Sequence, residues 1–412
     1  MRVPLLAVLT IGFLGIAGCG DRSDPARVGA PNFAADDNAG QVVTIDHQVP
    51  HTSTVPANSG ELAYLFVRER FPSNGDARNV VLMIHGASVP VLPGSDLSSH
   101  GYDWALWLAQ SGGFDVFMLD FQGSGLSSRP QMDDPCNVPS SQQSILIPNP
   151  LSATCPASYP FQLINSRSDW DELDAVVDYI RALRGVDKVA LVSWSQGAFR
   201  VGPYAVQHPD KVESLLLYAP IYNPEGRAGT GPDGFDPPVS LPQPGTPMTL
   251  RTRQAFLNGA NGWNPEIKCD GQVEDGIQDV VWNAIMDNDA IGRSWGPPEG
   301  VMRVRSPFLW GWNSATASRL SVPVLIIAGK LDLVVEQFPK FPNSYFNLYE
   351  TIPHSHKLLF RVDCAGHYMV WEGQRRVLHH ISKEWLKHLA VNEQTTGIFS
   401  VDTEGEIHPE ES

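Results

Sequence analysis

Val189-Ala190-Leu191-Val192-Ser193-Trp194-Ser195-Gln196-Gly197-Ala198 is the stretch on which the reading of the whole chain turns. Its first four residues are an unbroken apolar run, the pattern of a strand covered on both faces. Its end opens a helical stretch over 197–207. Between strand and helix lies Ser195, with Gly197 two places after it and the small Ser193 two places before. A sharp strand-to-helix turn brings backbone close to backbone at both flanking positions, and small residues avoid the collision. Working outward, similar apolar runs recur at Tyr64–Val67, Val80–Ile84, Val116–Leu119, Ser214–Tyr218, Val324–Ile327 and Leu358–Val362. Helical patterns separate several of them, over 102–110, 168–184 and 374–389. The clearest places Leu173, Val176, Val177, Ile180 and Leu183 on one stripe, with Ser168 as its cap and Asp169, Asp171 and Glu172 at its positive end. Alternating strands and helices predict an α/β fold with a doubly wound, mostly parallel sheet.

Two stretches interrupt the alternation. Residues 129–165 are rich in Pro, Ser and Asn, and residues 221–320 contain Trp263, Trp282, Trp295, Trp310 and Trp312 among many Pro and Gly. The second is expected to be a lid or cap over the carboxyl edge of the sheet. Its tryptophans offer either an apolar pocket or packing within the lid itself. The core is then expected over 41–220 and 321–390, with an acidic tail over 391–412. A formal net charge of −16 repels phosphate backbones and anionic lipid heads, which argues against nucleic acid or a charged membrane surface as partner.

The chain's first residues read as a targeting segment. Arg2 precedes an apolar run from Leu5 to Ala17 that is too short to span a bilayer, so 1–18 is expected to be a signal peptide. Residues 19–40 are small and polar and predict a flexible tether. Ile16-Ala17-Gly18-Cys19 resembles the lipobox of bacterial lipoproteins, which implies acylation of Cys19; Gly20 after it implies sorting to the outer membrane or cell surface. An ordinary signal peptide, with a periplasmic or secreted product, is the alternative. Cys136, Cys155, Cys269 and Cys364 remain, an even number in an exported chain. Cys136 and Cys155 share one irregular segment and are expected to pair, which leaves Cys269 for Cys364; free buried thiols are the alternative. No CxxC or CxxH spacing points to a metal, and no cofactor is implied.

The elbow peptide resembles the G-x-S-x-G nucleophile elbow of the α/β-hydrolase family, with Ser193 where the first glycine usually stands. The resemblance covers roughly 60–220 and 320–390, and it implies that Ser195 is a nucleophile. A serine hydroxyl needs a base. Cys364-Ala365-Gly366-His367, just past the last strand, resembles the family's Gly-His loop and implies His367 in that role. The orienting acid is implied to be Asp332, in Gly329-Lys330-Leu331-Asp332, which resembles the G-x-x-D segment after the seventh strand of the family's count; the cap falls between strands 6 and 7. His85-Gly86-Ala87 resembles the H-G-x segment, which implies that the N–H groups of Ala87 and Gln196 form an oxyanion hole, with Ser88 as the alternative to Ala87 by a shift of one. Asp120-Phe121-Gln122-Gly123-Ser124-Gly125 resembles the family's D-x-R-G-x-G turn, with Gln122 in place of arginine, and is read as architecture rather than a phosphate loop.

These residues predict a serine esterase acting on a small ester or acyl substrate. An amidase, a C–C hydrolase of diketones or an acyltransferase would use the same three residues. A lipid-anchored binding protein that keeps the fold without the chemistry is the alternative of another class.

Overall fold

The computed structural model describes residues 41–74, 79–99, 101–336 and 344–410. The expected signal peptide, the tether and Cys19 lie outside them. Ten strands form one sheet: β1 (Val42–Thr52), β2 (Leu62–Pro72), β3 (Val80–Ile84), β4 (Asp115–Leu119), β5 (Val189–Trp194), β6 (Val212–Tyr218), β7 (Val324–Gly329), β8 (Lys357–Val362), β9 (Thr396–Val401) and β10 (Ile407–Pro409). Their order across the sheet is β1-β2-β4-β3-β5-β6-β7-β8-β9-β10. From β4 to β9 every pairing is parallel, while β1, β2 and β10 join antiparallel at the edges.

The apolar runs make this sheet because they serve two cores at once. Val81 and Met83 of β3 point into one cluster with Val192, Leu216, Leu325 and Phe360. Val80, Leu82 and Ile84 point into the other with Leu191, Leu215, Ile326 and Leu359. A period of two with no polar face is what burial on both sides requires. Helix α1 (Ser166–Arg184) packs on the second face through Leu173, Val176, Val177 and Ile180, beside α2 (Ala198–Gln207). Helix α3 (Arg375–His388) packs on the first through Val377, Leu378, Ile381 and Trp385. Helix α1 starts two residues before the expected Ser168: Asn165 is the cap, and Ser168 returns the bond as the third residue of a capping box.

The chain reverses direction across the sheet at β3. It winds from β3 to β4 on one side, then returns to β5 on the other. The carboxyl ends of β3 and β5 therefore flank the switch point where open α/β sheets bind their ligands. His85-Gly86-Ala87 follows one and Ser195 follows the other.

One expectation needs correction. Residues 391–410 are not a tail: β9 and β10 extend the sheet, burying Phe399, Val401 and Ile407. The acidic composition misled because Glu410 is an ion-pair partner, facing Arg361 at 3.0 Å and Lys330 at 3.5 Å. The two insertions pack against each other. Met132, Val138, Leu146 and Leu163 of the first share a core with Met248, Leu250, Trp295 and Val301 of the second. The five tryptophans of 221–320 are all buried packing residues, none of them lining the cavity beside Ser195. The disulfides pair as expected, Cys136 with Cys155 and Cys269 with Cys364.

Candidate active site

Ser195 follows β5 with φ 57°, left-handed backbone that a non-glycine residue adopts only under strain of about 1–2 kcal/mol. The turn is as crowded as the sequence suggested. A methyl group built on Gly197 would lie 3.0 Å from the Ser193 Cβ and 3.1 Å from the His85 carbonyl oxygen. Serine at 193 fits, and its buried hydroxyl finds no hydrogen-bond partner among the described residues. The Ser195 carbonyl accepts from the Ile221 N–H at 3.1 Å, tying the elbow to the segment after β6.

Asp332 and His367 come together. The His367 Nδ1 lies 2.9 Å from Asp332 Oδ2, and both side chains are buried. The other Asp332 oxygen accepts from the Val335 N–H at 3.0 Å, so the residue also caps the short helix Leu333–Glu336. Capping and orienting the imidazole are thus carried by separate oxygens of one carboxylate. Asp363, four residues before His367, turns instead to Lys330 at 2.7 Å.

Ser195 and His367 line one cavity of about 190 Å³, together with Gly86, Ala87, Ser88, Trp194 and Tyr368. Gln196 follows at the start of the turn leading into α2, half-buried. A wider cleft of about 940 Å³, bordered by Asp171, Asp174, His208 and Asp236, contains none of these residues.

The loop of His367 is held by residues that sequence reasoning did not identify. Its carbonyl accepts from the Tyr218 hydroxyl at 2.7 Å and the Trp194 indole at 3.1 Å, and its N–H donates to Glu266 Oε2 at 2.6 Å. The other Glu266 oxygen accepts from the Leu333 N–H, next to Asp332, at 2.9 Å. One cap carboxyl thereby spans the acid loop and the base loop. Glycine is required at 366, where a methyl group would sit 2.3 Å from Glu266 Oε2. Beside it, Glu372 accepts from the Gly366 N–H at 2.8 Å and from the Trp263 indole at 3.0 Å. The Cys269–Cys364 bond fixes the same cap segment to the same loop. Part of the expected lid is therefore a brace for His367.

Burial and the adjacent Asp332 carboxylate push the Glu266 carboxyl well above its ordinary value of 4.5, and burial pushes Glu372 up to about 7. Both shifts are upward, so each group favours the folded state below pH 4.5 and loses that advantage as pH rises; for Glu372 the loss runs from 4.5 to about 7. Glu266→Gln should flatten this slope. It should also cost about 1–3 kcal/mol, because an amide NH2 faces one of two backbone donors, and lower kcat by roughly tenfold through a misplaced imidazole. Urea unfolding at pH 5 and pH 8 checks the slope; an unchanged difference between the two would remove Glu266 from this account.

The loop after β3 has a parallel brace. Arg200 Nη1 donates to the carbonyls of His85 at 2.8 Å and Gly86 at 3.3 Å, while its Nε donates to Asp169 Oδ2 at 2.7 Å. Arg305, from the cap, donates to both oxygens of Asp169. The Phe121 ring is about equidistant from the two guanidinium carbons, at 5.0 and 5.1 Å. Burial and these two cations hold His85 neutral, far below its ordinary pKa, consistent with a bracing role. Gln122 stands in arginine's place and donates to both oxygens of the buried Glu172, through its N–H and its side-chain amide, both at 2.9 Å. Asp120 accepts from the N–H groups of Val91 and Leu126, so the glycine-rich turn is architectural. His379 is buried against Trp104 and Trp107.

The described residues contain no helix long and apolar enough to cross a membrane. Two disulfides fit an oxidising, exported compartment. No curated protein matches the chain in sequence. Solved structures similar to it include an esterase from Thermogutta terrifontis, 15% identical, covering 83% of this chain and 99% of that one with a TM-score of 0.44. A serine hydrolase from Cycloclasticus zankles is 14% identical over 84% of this chain and 98% of its own, with a TM-score of 0.46. A carboxylesterase from Bacillus subtilis is 14% identical over 81% and 90%, with a TM-score of 0.43. The pattern of the alpha/beta hydrolase family matches residues 81–379, from β3 into α3. By that match, and by the sheet order and strand-to-helix elbow already described, the chain belongs to the alpha/beta hydrolase family.

Proposed function

We propose that the protein is an exported serine hydrolase that cleaves carboxylic esters through an acyl-enzyme on Ser195. His367 acts as general base and then general acid, and Asp332 orients it. The observation that carries this reading is the 2.9 Å bond from His367 Nδ1 to Asp332, beside a cavity that His367 shares with a serine on strained backbone. With Nδ1 bonded to a carboxylate, the neutral imidazole keeps its proton there and leaves Nε2 free to accept one.

The Ser195 Oγ–H gives its proton to His367 Nε2 as Oγ attacks the ester carbonyl. The carbonyl oxygen gains the negative charge, met by the N–H groups of Ala87 and Gln196, each contributing about 3 kcal/mol to the transition state. Collapse expels the alkoxide, which takes the proton from His367. Water repeats the sequence on the acyl-enzyme and releases the acid. An ester is favoured over an amide because an alkoxide leaves with less assistance than an amine. Lipid attachment at Cys19 is part of the proposal and would hold the hydrolase at a bacterial outer membrane or cell surface.

The test is covalent capture. A fluorophosphonate probe should add to Ser195, located by peptide mass spectrometry, and p-nitrophenyl esters of increasing chain length should be hydrolysed with a preference for short acyl groups. Folded protein that takes no label would favour a binding protein over an enzyme.

A further inference from the structure

The cavity beside Ser195 contains one guanidinium, and it lacks a counter-ion. Arg251 stands on the cap strand Met248–Thr252 and lines the cavity with Ser195, His367 and Tyr368. Among the described residues no carboxylate pairs with it. The arginines nearest in role are all matched: Arg200 and Arg305 to Asp169, and Arg303 to Asp289. In a chain with a net charge of −16, an unmatched cation at the candidate nucleophile's cavity is a feature to explain.

Its position is held without being neutralised. The Arg251 Nη2 donates to the Asn261 carbonyl at 2.6 Å and reaches the Tyr368 hydroxyl at 3.4 Å. The Tyr368 hydroxyl donates to the same carbonyl at 2.9 Å. The guanidinium carbon lies 5.2 Å from the centre of the Phe256 ring. These contacts occupy one nitrogen and one face. The Nε and Nη1 donors find no acceptor among the described residues, and a guanidinium is built to give two parallel bonds to a carboxylate. Apart from His367 and Arg251, the lining is neutral: backbone and small residues at 86–88, then Val89, Ile221, Val334 and the aromatic rings. About 190 Å³ holds roughly six water-sized groups, room for a short acyl part.

We infer that Arg251 is a specificity-determining residue and that the substrate class is an ester whose short acyl chain ends in a carboxylate, a half-ester of a small dicarboxylic acid. The inference rests on the serine hydrolase reading and adds to it which ester is taken. The candidate oxyanion N–H groups would receive the ester carbonyl while Arg251 receives the distal carboxylate, so the anionic end fixes the register of the acyl chain over Ser195.

The experiment compares p-nitrophenyl hydrogen glutarate with p-nitrophenyl pentanoate, of equal acyl chain length. Wild type should favour the glutarate by roughly tenfold or more in kcat/KM, mainly through KM, with the preference shrinking as salt is added. Arg251→Met should bring the ratio down to one or below, and Arg251→Lys should keep part of it. Pentanoate turned over as well as glutarate by wild type overturns this inference and leaves the hydrolase reading standing, as does a preference that survives Arg251→Met. Because wild type alone decides the first comparison, it needs no variant to fold. Turnover of neither ester, with no label on Ser195, ends the hydrolase reading and this inference together.

Discussion

Ser195→Ala should lower kcat for a p-nitrophenyl ester by a factor on the order of 10⁵ to 10⁶, to the level left by binding and carbonyl polarisation alone. The loss follows from the chemistry: without the hydroxyl, no covalent intermediate forms, and His367 has no proton to take. A companion variant separates this from damage to the fold. Ser195 has φ 57°, and alanine keeps the Cβ that makes this conformation costly. Ser195→Gly removes it. Both variants should be inactive, but the glycine form should be the more stable of the two by about 1 kcal/mol, read as a higher urea midpoint. Activity above one hundredth of wild type in Ser195→Ala would place the nucleophile elsewhere. Equal stability of the two variants would mean that the elbow is not strained.

What the sequence disclosed about this site, and what it hid, divides by range. The elbow was legible because its demand is local: small residues two places either side of Ser195, a strand before and a helix after. Asp332 and His367 were legible in the same way, each a few residues past an unbroken apolar strand. Glu266 was not. Its role exists only because the segment at 264–266 packs against loops 67 and 101 residues away, and a lone glutamate in a Trp- and Pro-rich stretch carries no mark of that. Arg200 and Arg305 are equally silent in sequence, since both act by facing Asp169, Arg200 from a neighbouring core helix and Arg305 from the cap. The outer strands were missed for a different reason. β1 leaves Thr44, Ile45 and Asp46 exposed, so it has no apolar run, and β9, one strand in from the edge, buries only Ile398, Phe399 and Val401 inside an acidic composition. Composition describes a segment's average, whereas a strand at a sheet edge needs only a few well-placed side chains. The burial of His379 is hidden in the same way: packing against Trp104 and Trp107, together with the charges of Arg375 and Arg376, pushes its pKa down to about 3, although its helix neighbours are basic and polar.

Asp332→Asn should reduce kcat by about 10⁴ while leaving the protein folded. An asparagine keeps one oxygen, which can go on capping the Val335 N–H now bonded at 3.0 Å. Its NH2 group then faces His367 Nδ1. A donor there forces Nδ1 to become the acceptor and moves the imidazole's proton to Nε2, the nitrogen that must take the proton from Ser195. The base is lost through the wrong tautomer rather than through a displaced ring. Asp332→Ala tests the separation of the two oxygens, since it removes the cap as well and should cost a further 1 kcal/mol or so of stability. A change at Asp332 should also be felt at Glu266, whose carboxyl is pushed up in part by the Asp332 charge. With that charge gone, the Glu266 pKa falls back toward 4.5, and the loss of stability with rising pH becomes shallower in Asp332→Asn than in wild type. Kinetics and unfolding on the same samples decide the matter. If the asparagine variant keeps activity within tenfold of wild type, Asp332 is only a cap, and Glu266 becomes the carboxyl to examine as the partner of His367.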